Sequence, residues 1–113
     1  MIGDNVAIVD GTIICVANFF RIGNDSMIAV QCYITDANHG MYENQLMRLQ
    51  HLSIKETWIG ENVWIGSECK ILSEAKVANS FVLGSSIVAT DELQENMIYI
   101  GNCEVEAKRR KQL

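Results

Sequence analysis

A chain of 113 residues, 49% hydrophobic and 20% charged, builds one compact domain and not two. Its formal net charge of −5 leaves no broad basic face to displace counterions, so no nucleic-acid partner is expected. No apolar run approaches the roughly 20 residues that cross a bilayer, and no basic-then-apolar leader opens the chain; a cytoplasmic protein without a membrane partner is expected.

In chain order, the first feature is a spacing. Ile2, Ile8 and Ile14 fall six residues apart, as do Ile22, Ile28 and Ile34. The two series are offset by two residues, which predicts an insertion around Val16 to Arg21. Between His39 and Trp58 the repeat disappears into a polar stretch, 40–57, long enough to loop out of a regular scaffold, where function is often placed. Leu46, Met47, Leu49 and Leu52 within it offer the alternative of a short helix packed on the scaffold or on a neighbour. The spacing then returns cleanly through Ile59, Ile65, Ile71, Val77 and Leu83, with Ala89 as a weaker continuation. Four residues after each anchor stand Val63, Cys69, Ala75, Phe81 and Ile87, and glycine follows the anchor at Gly60, Gly66 and Gly84.

A period of six fits neither a helix nor simple alternation. It predicts an all-β solenoid in which each hexad is a short strand and a turn, and three hexads close one triangular coil. At 18 residues per coil the chain holds about five coils, with the anchors stacked inside. With no proline, turns fall to Gly, Asn, Asp and Ser, and Gly and Asn suit corners at positive φ. One β-helix domain is expected over 1–102, with the insertion at 40–57, and a basic tail over 103–113 that holds Lys108, Arg109, Arg110 and Lys111. Cys15, Cys32, Cys69 and Cys103 are scattered, with no Cys-x-x-Cys pair and no histidine at ligand spacing. Free, mostly buried thiols are expected, and no metal.

The segments Ile34-Thr35-Asp36-Ala37-Asn38-His39-Gly40 and Ile59-Gly60-Glu61-Asn62-Val63-Trp64-Ile65-Gly66-Ser67 resemble the hexapeptide-repeat acyltransferases. The maltose, galactoside and capsular-sugar O-acetyltransferases are the nearest subgroup, and Asn96 to Asn102 resembles that family's last coil. The resemblance implies a left-handed parallel β-helix, a homotrimer, and acetyl-coenzyme A as acyl donor in the cleft between subunits. It implies a small-molecule acceptor, such as a sugar.

Acetyl transfer to a hydroxyl needs a base for the hydroxyl proton, and a histidine near its ordinary pKa of about 6.5 serves at neutral pH. His39 matches the family's catalytic histidine, with Asp36 and Asn38 close enough in sequence to help orient it. The developing oxyanion needs donors, which backbone N–H groups at a coil corner supply; Ser67 matches that position. For the coenzyme, Trp64 and Ser85 match positions along the pantetheine arm, and Thr90 and Lys108 match positions near its phosphates. Each residue also has a plainer reading. His39 and His51 suit a solvated turn, the three hydroxyl residues suit corners, and Trp64, pointing outward, suits a subunit interface.

Several places depart from the family pattern. Prolines usual in the family are replaced at Ser73-Glu74, Leu93-Gln94 and Cys103-Glu104, Asp91 stands for a lysine, and Val105-Glu106 replaces another basic residue. The chain also enters its repeat at Ile2, which predicts a solenoid short of the family's first coils. These departures motivate an alternative, a catalytically silent β-helix serving as an assembly module. A zinc hydrolase of this fold needs three histidine ligands, and the chain has two.

Overall fold

The computed structural model describes residues 1–101; the tail, including Lys108 and Cys103, lies outside them. Almost all of the regular structure is short parallel strand, arranged as three sheets that wall a triangular prism. The first face stacks Ala7–Ile8, Met27–Ile28, Trp64–Ile65, Val82–Leu83 and Ile98–Tyr99. The second stacks Ile13–Cys15, Tyr33–Thr35, Lys70–Ile71 and Val88–Ala89. The third stacks Phe20–Ile22, Thr57–Ile59, Lys76–Val77 and Glu92–Leu93, with Ile2 bridged to Ile22.

The hexad anchors make the interior. Ile22, Ile28, Ile34, Ile59, Ile65, Ile71, Val77 and Leu83 are buried, and so are Val63, Cys69, Ala75, Phe81 and Ile87 four residues after an anchor. Each fully buried aliphatic side chain contributes about 1.5–3 kcal/mol relative to exposure. These anchors and the residues four places after them point inward, and alternation within each strand sends the residue before the anchor outward. At the first coil, however, Ile2 and Ile8 are exposed, with no coil stacked outside them among the described residues. The two-residue offset is real: Ile2 pairs with Ile22 and Ile14 with Ile34, whereas Ile65 pairs with Leu83. A second irregularity follows Ala89, where the next anchor is Leu93, paired with Val77.

The outward residues differ sharply between faces. The third face presents Arg21, Trp58, Lys76 and Glu92 in register. There the Arg21 guanidinium lies 4.6 Å from the Trp58 ring centre, and Lys76 pairs with Glu56 and Glu92 at 4.0 and 3.8 Å. The first face presents Ala7, Met27, Trp64, Val82 and Ile98, a stripe without a single charge.

Corners carry the turn chemistry expected of Gly, Asn, Asp and Ser, with Gln31, Glu68 and Glu74 as exceptions. Asn5, Gly11, Asp25, Gln31, Asn62, Glu68, Glu74, Ser80, Ser86 and Asn96 all sit three residues after an anchor at positive φ. Only Gly11 among them is glycine. The glycines that follow the anchors serve close approach instead: a Cβ on Gly66 would stand 2.7 Å from the Ser85 nitrogen of the next coil. The Ser73-Glu74 departure is explained here. Glu74 has φ 81°, which proline cannot adopt, and the Ser73 hydroxyl donates to the Asp36 carbonyl oxygen at 2.9 Å.

Candidate active site

Among the described residues the chain leaves the prism once, after Asp36, at the edge where the second face turns into the third. Ala37–His39 runs antiparallel to Leu52–Ile54, pairing Ala37 with Ile54, Asn38 with Ser53 and His39 with Leu52. The ladder continues as the Gly40 N–H donates to the His51 carbonyl at 3.1 Å. Beyond it, one side chain takes over. Gln50 Oε1 accepts the Tyr42 N–H at 3.0 Å, while Nε2 donates to the Tyr42 and Gln45 carbonyls at 3.1 and 3.3 Å. Sequence reading missed Gln50, because nothing local marks a glutamine whose partners lie five and eight residues away. The short helix does form, as a single 3-10 turn over Met47–Leu49, but it buries no residue; Leu46 and Leu49 face solvent.

His39 thus stands exposed at the end of a paired strand, with the root of its hairpin fixed from below. The fixing group is Asp36, 1% exposed, whose two carboxylate oxygens accept the N–H groups of Ala17 and Asn18 at 2.9 and 3.0 Å. Asp36 therefore does not orient His39. Its carboxylate is committed to the preceding coil, where it closes the two-residue insertion. Asn38 does not orient it either, because neighbouring strand residues project to opposite sides. Among the described residues, nothing hydrogen-bonds the His39 imidazole.

Ser67 and Ser85 are brought together at the edge between the first and second faces, Oγ to Oγ at 3.3 Å. Trp64, 52% exposed, lies on the first face between Met27 and Val82. Thr90 and Asp91 line an open cavity of about 140 Å³ beside Tyr99 and Leu93. One chain consequently splits the predicted residues. His39 and Thr90 follow the second face, Ser67 and Ser85 precede it, and Lys108 lies outside the described residues.

The serine corner has a further property. On the third-to-first edge, the N–H groups two residues after an anchor, on Asp4 and Glu61, donate to the side-chain oxygens of Asn24 and Asn79 in the next coil, each at 2.8 Å. At the serine corner the residue below Ser67 is Ser85 rather than Asn. The N–H groups of Ser67 and Ser85 meet no acceptor among the described residues.

No family model and no curated protein matches the sequence. Solved structures do. AntD, an N-acyltransferase from Bacillus cereus in complex with dTDP and coenzyme A, superposes with a TM-score of 0.65 at 21% identity, over 97% of this chain and 73% of its own. A maltose O-acetyltransferase from Clostridium difficile 630 gives 0.62 at 22%, over 98% and 65%. Serine acetyltransferase isoform 3 from Entamoeba histolytica, in complex with cysteine, gives 0.61 at 15%, over 96% and 35%. The fold is the left-handed parallel β-helix that these structures share. This β-helix spans about a third of the serine acetyltransferase chain and just under two thirds of the maltose enzyme. Its left hand runs against the general preference for right-handed crossovers. Among the described residues no helix is long and apolar enough to cross a membrane, and no group of three His, Cys, Asp or Glu is placed to hold a metal ion.

Proposed function

We propose that this β-helix transfers an acetyl group from acetyl-coenzyme A to a hydroxyl of a sugar or similar small acceptor. The observation that carries the reading is the hairpin excursion of the solenoid, which presents His39 on a paired strand anchored by Asp36. His39 takes the hydroxyl proton as the acceptor oxygen forms its bond to the thioester carbonyl carbon. The open N–H of Ser67 receives the developing oxyanion. When the carbon–sulfur bond breaks, His39 returns the proton to the departing thiolate. Trp64 and Ser85 would lie along the pantetheine arm and Thr90 near the phosphates; Lys108, assigned to the phosphates by the resemblance, lies outside the described residues.

Because His39 and Ser67 stand on different edges of one chain, two copies supply one site. A homotrimer meets this requirement, and the uncharged first face is suited to contact between copies. Trp64→Glu is expected to convert the trimer to monomers and abolish transfer, with light scattering reading the mass.

The deciding experiment measures free thiol release from acetyl-coenzyme A with a panel of sugars. His39→Ala should lower the rate about 10²- to 10⁴-fold; a parental rate in that variant overturns the assignment. The competing reading, a catalytically silent assembly module, draws on Asp91, whose negative charge stands beside Thr90 where phosphates would approach. Calorimetric titration with coenzyme A separates the two, since a silent module releases no heat.

A further inference from the structure

Two buried thiols stand inside the serine corner. Cys32 and Cys69 are 2% and 0% exposed and occupy the same place in successive coils, two residues before Ile34 and Ile71. Cys32 Sγ lies 3.2 Å from the Gly66 carbonyl oxygen, and Cys69 Sγ lies 2.9 Å from that of Gly84. Cys32 Sγ is further, 3.8 Å, from the Val30 carbonyl. No other group among the described residues donates to either glycine carbonyl.

Each of these carbonyls belongs to the peptide whose N–H is carried by a serine: Gly66–Ser67 and Gly84–Ser85. A trans peptide is planar, with its C=O and N–H pointing in opposite directions, and no peptide in the described chain is cis. A carbonyl drawn inward to a buried thiol therefore turns its N–H outward. Burial pushes the Cys69 thiol above its ordinary value, so the sulfur keeps the proton it donates. A donor on the carbonyl also polarises the same peptide's N–H.

The device is not confined to sulfur. Ser26, two residues before Ile28, donates through Oγ to the Gly60 carbonyl at 2.8 Å, at the equivalent point of the third-to-first edge. There the N–H of the same peptide, on Glu61, is already taken by Asn79. Along the first-to-second edge, inward-pinned carbonyls do coincide with open N–H groups. They do so at the serine corner and in the coil before it, where Thr12, at the place of Cys32, donates to the Ala29 carbonyl at 2.8 Å and the Val30 N–H meets no acceptor among the described residues.

We propose that Cys32 and Cys69 are positioning residues that hold the Gly66–Ser67 and Gly84–Ser85 peptides with their N–H groups directed at the acyl donor. This rests on the acyltransferase reading above. The test uses the full chain with Cys32→Ala, Cys32→Ser and the same pair at Cys69, each checked for folding by its urea midpoint. Cys32→Ala should lower kcat about tenfold, less than the loss from deleting an oxyanion donor outright, with KM for acetyl-coenzyme A within about twofold. Cys32→Ser, which keeps a donor, should restore kcat. The amide proton of Ser67 should shift upfield in the alanine variant and return in the serine variant, with Ser85 following the Cys69 pair.

Parental kcat and an unmoved Ser67 amide in Cys32→Ala overturn the proposal. So does a folded Cys32→Ser variant as impaired as Cys32→Ala, which would reduce the thiol to packing. A parent protein that transfers no acetyl group overturns the acyltransferase reading instead, and the amide shifts still judge the thiols.

Discussion

Along the third-to-first and first-to-second edges of the prism, every turn among the described residues has one form, with a residue at positive φ three places after the anchor. Along the second-to-third edge only the turn at Glu74 has it. The turn after Ile14 is two residues longer than a hexad, the turn after Ile34 opens into the hairpin, and the turn after Ala89 is two residues shorter. The regular edges are laddered through the backbone: the Asn62 N–H donates to Asn24, Ser80 to Glu61 and Asn96 to Asn79. Such a turn must match the coil above and the coil below at once. The irregular edge is bridged mainly by side chains, with Asp36 reaching one coil and Ser73 the next. A solenoid can therefore vary its length where side chains replace the backbone ladder, and there the hairpin bearing His39 departs.

The strongest attack on this contrast changes the length of a turn on each edge. Inserting two glycines after Asn79 should disrupt three hydrogen bonds, those of Ser80, Asn96 and Glu61, at a cost of about 3 kcal/mol. The same insertion after Asp91 should cost about 1 kcal/mol, since one backbone bond, from Lys76 to Asp91, is at stake. Urea unfolding measures both, and equal costs would abolish the distinction between edges. Next in size are the bridging side chains. Asp36→Ala strands two part-buried N–H groups and should cost about 2 kcal/mol, whereas Asn24→Ala frees an exposed N–H that water can satisfy and should cost less.

How much of this was legible depended on the range of the contact. The anchors from Ile59 to Leu83 declare themselves because an interior stack forces one residue type at one spacing, and the offset at Val16 to Arg21 follows from the same count. The place of the hairpin is legible as the gap in that count. Its contents are not: Gln50 and Asp36 act through backbone groups brought near only by folding, and proximity in sequence suggested that Asp36 orients His39. Glu68 and Glu74 at positive φ also defy sequence reasoning, since carboxylate side chains are not signals of left-handed turns. The division of His39 from Ser67 is a consequence of coil geometry that no motif spells out.

Backbone strain gives a smaller test. Glu68 sits at φ 59° and Gly11 at φ 77° on the same edge. Glu68→Gly should stabilise the fold by about 1 kcal/mol, and Gly11→Ala should destabilise it by a similar amount. Ala37 holds the same hexad position on the irregular edge but is not at positive φ. Ala37→Gly should therefore destabilise, by about 0.5–1 kcal/mol. A stabilising Ala37→Gly would mean that the three edges share one turn after all.

The smallest effect separates the interiors of the same two edges. Cys69 lies inside the first-to-second edge, and Ala75 takes the corresponding place inside the second-to-third. Burial is the largest influence on the Cys69 thiol, raising it above its ordinary value of 9.0. The folded chain then holds a proton that the unfolded chain releases. This contribution to stability is complete below about pH 9 and is lost as pH rises through the raised folded value. Between pH 8 and pH 10.5 the urea midpoint of the parent should fall further than that of Cys69→Ser, whose hydroxyl does not titrate. Ala75→Ser should leave the parental slope unchanged. Parallel midpoints in parent and Cys69→Ser would mean that water reaches the thiol, and the serine corner would then be as open inside as it is outside.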